Sequence, residues 1–277
     1  MAITNFIPTV WSENLHKALE RKYVGIANCN REFEGDIKNL GSVVKICGVG
    51  NVLVSDYTKN TDMSSPQTLD DTVKELKINK AKYFNFQIDD IDRAQSTPKL
   101  MDAAMSVAAE ALAAEADRYI YSVCSFAEIT DIHTISTPEK LLDFFIENLE
   151  FVFKNGAIDA GNVVIEVSPY IATQLFKAKA NLLKDNTDML ETGCIGNIAG
   201  CKVFVSNNLP TSENESSIST ICFIRTTRAV AFAEQISEIE AYRPENRFAD
   251  AVKGLHLYGA TIVYPGECAA LEICYEI

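Results

Sequence analysis

Basic residues are scarce in this sequence. Lys and Arg total 25 against 38 Asp and Glu in 277 residues, a net charge of −13. That deficit excludes a nucleic-acid binder held on by counterion release, which needs a basic face. It leaves room for a shell protein that touches nucleic acid weakly. Histidine is rare as well, with 3 residues. His16, His133 and His256 stand far apart, with no H-x-x-x-H or C-x-x-H pattern, so they read as surface or satisfied core histidines and not as zinc ligands. No G-x-S-x-G elbow marks a serine hydrolase. No apolar run reaches the roughly 18 residues of a membrane span. The start, MAITNFIPTVWSENL, lacks the basic and apolar regions of a signal peptide. The 8 cysteines are scattered without a C-x-x-C pair, which implies reduced, mostly buried thiols in an intracellular chain more readily than disulfides.

The densest cluster of special residues is TGCIGNIAGC, 192–201. A dinucleotide fingerprint needs a strand before its glycines and a helix after them. Here a helical pattern precedes, the strand KVFVSN follows, and the P-loop lysine with its Ser or Thr is missing. Two thiols with no neighbouring histidine make a poor metal site. A glycine-assisted turn feeding a strand is the plainer reading. Asp89, Asp90 and Asp92 could hold a divalent cation, but they lack EF-hand spacing and the glycine, and read more readily as a strand end turning toward a helix cap. Arg243, Glu245, Arg247, Phe248 and Asp250 crowd eight positions. They form either a charged turn or a set of intersubunit ion pairs that fix register.

Along the chain, residues 1–40 read as a polar arm carrying one short amphipathic helix, Ser12–Arg21, whose apolar side is thin (Trp11, Leu15, Leu19) and needs a partner surface. Residues 42–49 and 51–57 alternate apolar and polar positions, 58–71 is polar and turn-rich, and 74–92 returns as a strand. The stretch 42–92 therefore reads as a long hairpin, marginal alone and inviting another chain. Ser96-Thr97-Pro98 and Ser136-Thr137-Pro138 each place a capping hydroxyl before a proline. Ser136 and Glu139 also have capping-box spacing. The first helix is expected over 98–123, about 38 Å long, with Met101, Met105, Ala108, Leu112, Tyr119 and Val123 on one side and Asp102, Ser106, Glu110 and Asp117 opposite. The second is expected over 138–154, closed by Asn155-Gly156. A buried strand at 162–168, a helix from Pro169, strands over 202–210 and 220–236, and two strands around Pro265-Gly266 complete the reading.

Several of these stretches, in this order, resemble the major capsid proteins of tailed bacteriophages. The nearest group is the phage P22 coat-protein-like set without its inserted domain. NFIPTVWSENL is similar to that group's arm, SDYTKNTD with AKYFNFQIDDIDRAQ to its extended loop, and the alanine-rich 98–123 helix to its spine helix. IAGCKVFVSNNLP and YRPENRFADAVKGLHLYGATIVYPG are similar to its axial-domain hairpin and the return to the peripheral domain. The resemblance implies an α+β Hong Kong 97-like fold, with an N-terminal arm (1–40), an extended-loop hairpin (41–82), a peripheral domain (83–128 and 250–277) and an axial domain (129–249). It implies a coat protein, not an enzyme, that assembles with itself as pentamers and hexamers into an icosahedral shell around double-stranded DNA. No cofactor, metal or membrane is expected. Portal and decoration proteins are expected partners, as is a scaffolding protein if one is needed. The location expected is the virion capsid, built in the bacterial cytoplasm. Trp11, Leu15, Lys59, Arg243, Glu245 and Arg247 are the expected intersubunit contacts. An encapsulin-like container of the same fold and a soluble α/β enzyme around Asp89, Asp90 and Asp92 are the competing readings.

Overall fold

The computed structural model describes residues 22–34, 41–49, 56, 59, 71–89, 100–127, 129–135, 137–156, 160–178, 194–214, 217–246 and 248–276. The arm helix expected over Ser12–Arg21, most of the strand expected over 51–57 and most of the 58–71 loop lie outside the described residues.

The expected rod is helix α1, Leu100–Cys124. Its buried face is Ala109, Leu112, Ala113, Ala116, Asp117, Ile120, Tyr121 and Cys124, rotated from the expected one. Met105, Tyr119 and Val123 are only half-buried and Asp117 is fully buried. With so many alanines the apolar pattern of α1 is weak in every direction, and the neighbours choose the face. Helix α2, Pro138–Lys154, has Thr137, not Ser136, as its N-cap: the Thr137 side chain accepts from the Lys140 N–H. It buries Leu141, Phe144, Phe145, Leu149 and Val152, which share one face at helical spacing. Asn155 closes it and Gly156 takes the left-handed conformation (φ 118°). Helix α3, Pro169–Lys177, is capped by Ser168.

Strands β1 (Val43–Val49) and β2 (Asp71–Lys77) pair antiparallel as a two-stranded ribbon. The strand expected over 74–92 is thus two strands in two sheets. After Ile78 the chain becomes β3, Lys80–Asp89, which pairs elsewhere. Strands β4 (Ile129–Thr134), β5 (Val163–Val167), β6 (Cys194–Ile198), β7 (Cys201–Val205), β8 (Thr211–Glu213) and β9 (Ser217–Thr226) follow. The last three are β10 (Val230–Tyr242), β11 (Ala249–Ile262) and β12 (Cys268–Glu276).

One mixed sheet has the order β4-β12-β9-β5-β7-β6, with β8 also on β9. A smaller antiparallel sheet has the order β10-β11-β3. The chain changes sheet between β9 and β10, and again between β11 and β12. Sheet membership therefore crosses the expected division. β10, inside the 129–249 range, lies with β3 and β11, while β12, inside the 250–277 range, lies between β4 and β9. Edge-to-edge hydrogen bonding between strands distant in sequence decides this, and local pattern does not report it.

The large core joins α1, α2, α3 and the inner face of the mixed sheet, with Tyr121 stacked on Phe223 at 5.6 Å. A second cluster seats the ribbon on β10 and β11 through Val44, Ile46, Leu76, Ile78, Ala231, Ala233 and Leu257. There Gly259 lies so close to the crossing chain that a Cβ would sit 2.1 Å from the Lys77 carbonyl oxygen. Gly259→Ala should therefore lower the thermal midpoint of the isolated chain, at a cost of about 2 kcal/mol or more. Gly41→Ala, with nothing within 4 Å of the added carbon but a φ of 89°, should cost about 1 kcal/mol. Calorimetry of the two variants tests the ranking.

Candidate assembly site

Residues Lys22–Glu34 form a strap bonded to the body of the protein. Its short 3-10 turn, Ile26–Asn28, is gripped by charged groups with no solvent access. Arg225 of β9 and Glu166 of β5 are both fully buried. The Arg225 guanidinium donates through Nε and Nη2 to the two Glu166 oxygens at 2.9 and 2.8 Å. It also donates to the Gly25 carbonyl at 2.7 Å and the Asn28 carbonyl at 2.8 Å, and reaches the Cys29 sulfur at 3.4 Å. The Asn28 amide returns to Glu166 at 3.3 Å. All five N–H donors of the arginine are used.

On the other side of the strap, the Asp117 carboxylate of α1 accepts the backbone N–H groups of Val24 and Ile26 at 3.1 and 3.0 Å. Burial pushes its pKa up to about 6 against the lowering pull of those bonds. A third cluster fastens the strap to the small sheet. Glu234 accepts from the Tyr23 hydroxyl and from Arg31 Nη2 at 2.7 Å, and lies 2.8 Å from His256 Nε2. Burial alone would raise the Glu234 pKa, but the bonds from His256 and Tyr23 and the charge of Arg31 hold it below the usual carboxylate range. The strap also adds backbone bonds to β10, from Asn30 N–H to Val230 and from Phe232 N–H to Asn30, each 2.9 Å. A fourth group, Glu267 accepting from both Arg228 and Thr226, ties the β9–β10 turn to the start of β12.

None of these groups was singled out by spacing. Asp117 had been placed on the polar side of the first helix. The available signal was a charge inside an apolar strand: Glu166 in VVIEV and Arg225 in CFIRT.

The sequence-predicted residues sit elsewhere. TGCIGNIAGC is described from Cys194 onward: β6 and β7 form a hairpin through Ala199 (φ 50°) and Gly200 (φ 87°), a two-residue turn of the kind that needs positive φ. Among the described residues no group of three or more His, Cys, Asp and Glu is placed to hold a metal. Asp89 ends β3 and is exposed; Asp90 and Asp92 lie outside the described residues. Seven described cysteines are free thiols, and burial pushes Cys29 up to about 12 despite the nearby Arg225 charge. His256 is the buried partner of Glu234, His133 stacks on Phe144 at 4.7 Å, and His16 lies outside the described residues.

Of the expected contacts, Lys59 is exposed. Arg243, in the β10–β11 turn, lies 3.6 Å from Asp250 of its own chain. Glu245 is exposed. Trp11, Leu15 and Arg247 lie outside the described residues. The same turn presents Phe248 at 83% exposure. Tyr83 on β3 and Phe126 after α1 are about as open. The outer side of α2 has an apolar depression lined by Ile146, Leu149 and Phe153 with Ala199 of the hairpin turn. Exposed aromatic side chains of this kind, Tyr83, Phe126 and Phe248, are candidate docking surfaces.

No protein-family model and no curated protein matches the sequence. Solved structures do. The chain is similar to a structure from Mycobacterium phage Che8 at 27% identity and TM-score 0.66, over 89% of this chain and 90% of that one. It is similar to the capsid of Ralstonia phage GP4 at 10% identity and TM-score 0.67, over 92% and 90%. It is also similar to the virus-like particle from Pyrococcus furiosus at 14% identity and TM-score 0.55, over 94% and 96%.

The ionic grip yields two expected outcomes for the isolated chain. Arg225→Met should cost about 3–5 kcal/mol by stranding Glu166, and adding Glu166→Met should restore part of it; denaturant unfolding of both variants measures this. Asp117, with its folded pKa above the unfolded value, contributes stability that is full below about pH 4 and lost as pH rises through about 6. Relative to Asp117→Asn, the wild type should lose about 3 kcal/mol of advantage between pH 4 and 8, read by unfolding across that range.

Proposed function

We propose that this chain, whose fold is that of tailed-phage major capsid proteins, is the coat subunit of an icosahedral phage head. The observation that carries the proposal is the end-to-end likeness to shell structures, such as the Ralstonia phage GP4 capsid over 92% of this chain. Copies of the chain assemble with one another as pentamers and hexamers that close around double-stranded DNA. The charge of −13 fits a container that does not grip its contents. Portal and decoration proteins are the further partners, with a scaffolding protein where one is required. The subunit is made in the bacterial cytoplasm and ends in the virion, and no catalytic role is assigned to it.

Within the subunit, residues 1–40 are the arm and 41–82 the extended hairpin. The peripheral part is α1 with β3, β10 and β11, and the axial part is the mixed sheet with α2 and α3. Trp11, Leu15, Lys59, Arg243, Glu245 and Arg247 contact neighbours, and Phe248, which follows Arg247 in the chain, joins them as an apolar anchor. Numerous modest contacts suffice, because closure multiplies them. The likeness to the Pyrococcus furiosus particle favours one second reading, a cellular container of the same fold.

Electron microscopy of the purified chain in crowding agent should show closed shells, tubes, or five- and six-membered rings. A small oligomer that never grows would sink the proposal, and protein cargo in place of DNA inside native particles would select the container. Phe248→Asp should abolish closed shells while shifting subunit stability by no more than about 0.5 kcal/mol, because the ring is solvated in the free subunit. Assembly yield and thermal midpoint are compared on the same preparation.

A further inference from the structure

We propose that β3 is a docking edge for a second copy of this chain, which adds its own β3 antiparallel about a two-fold axis at Asn85. The contact rests on the coat-subunit reading, of which it is one link between copies.

The two edges of the small sheet differ. β10 is blunted: the strap bridges it at Ala231, and its register shifts between Ile236 and Glu238. β3 pairs with β11 along all of Lys80–Asp89 without a shift, and among the described residues no strand pairs with its other side. It holds no proline and no glycine. Such an edge offers a row of backbone donors and acceptors to another strand.

The side chains select the partner. Lys80 and Lys82 open the strand, Asp89 closes it, and no charge stands between them. Two copies paired in parallel would set like charges side by side; antiparallel pairing brings the basic end of each to the acidic end of the other. The even-numbered residues share the face that carries α1, where Lys82 bonds Glu115 at 3.1 Å. Phe84, Phe86 and Ile88 lie on that face, yet each is still half-exposed at the edge. A two-fold axis normal to the sheet keeps α1 on the same face in both copies, so facing residues are both even or both odd. Centred on Asn85, the register sets Phe84 opposite the partner's Phe86 and Phe86 opposite the partner's Phe84. The Phe84–Phe86 stack, 5.9 Å between rings, then extends across the seam as cross-strand aromatic pairs. Centring on Phe84 would instead set Lys82 against the partner's Phe86. The surface is the same on both copies, so the contact closes with two.

Disulfide trapping tests the register. Asn85 is exposed and accepts from the Tyr242 hydroxyl at 3.1 Å. Asn85→Cys, oxidised with copper phenanthroline under assembly conditions, should link most chains in pairs, with the joined peptides identified by mass. Gln87→Cys should not link, because its two copies would stand about 13 Å apart, beyond the reach of a disulfide. Charge gives a second readout. Asn85→Lys sets like charges opposite each other and should lower the yield of paired chains about fivefold, as should Asn85→Glu, while an equimolar mixture of the two recovers it. In the wild-type chain, the β3 amides that point away from β11 should exchange at least about tenfold more slowly after assembly. Shells or rings that form without the Asn85 link, or a link from Gln87→Cys in its place, would overturn the contact and leave the coat-subunit reading standing. So would unchanged exchange along β3 in assembled material. A wild-type chain that never assembles would sink both, and linked pairs that never grow would support the contact alone.

Discussion

The fully buried pair of Arg225 and Glu166 is the interaction on which the subunit depends. An ion pair in that position gains little by itself, because desolvation offsets most of the attraction. Its consequence is geometric. The guanidinium is fully satisfied only when the Gly25 and Asn28 carbonyls are in place, so the docking of the strap and the burial of the pair depend on each other. β5, β9 and the root of the arm become a single unit.

The neighbouring groups extend that constraint. Asp117 fixes the strap to α1, and Glu234 with Tyr23, Arg31 and His256 fixes it to the small sheet. The strap is thus bonded to both sheets and to the long helix. The bonds that hold the strap are buried and charge-assisted, and so stronger than neutral ones. The exposed aromatics and the paired surface charges lie outside this frame, where each contact is individually modest.

Such a division accounts for how the chain can share a fold with the Ralstonia phage GP4 capsid at 10% identity. The inner requirement is apolar volume at the right period plus a few satisfied polar groups, and many sequences meet it. Substitutions on the outer surface perturb the fold little, so that surface is free to diverge.

Local chemistry was legible in the sequence by itself. A capping hydroxyl followed by proline started α2, Asn155-Gly156 ended it, and the glycines of TGCIGNIAGC marked a hairpin turn, because each rests on dihedral preferences of the residues concerned. The ordered resemblance also placed the long helix and the returning strands. Tertiary structure alone decided the rest. The rotation of α1 could not be read from a run of alanines, and it carried Asp117 from an expected polar face into the core. The partners of β10 and β12 could not be read either, since a strand records which side chains face inward but not which distant strand supplies its hydrogen bonds. Glu166 and Arg225 were visible only as charges misplaced in apolar strands. Whether such a charge is tolerable depends on a partner 59 residues away, and only the folded chain brings the two together.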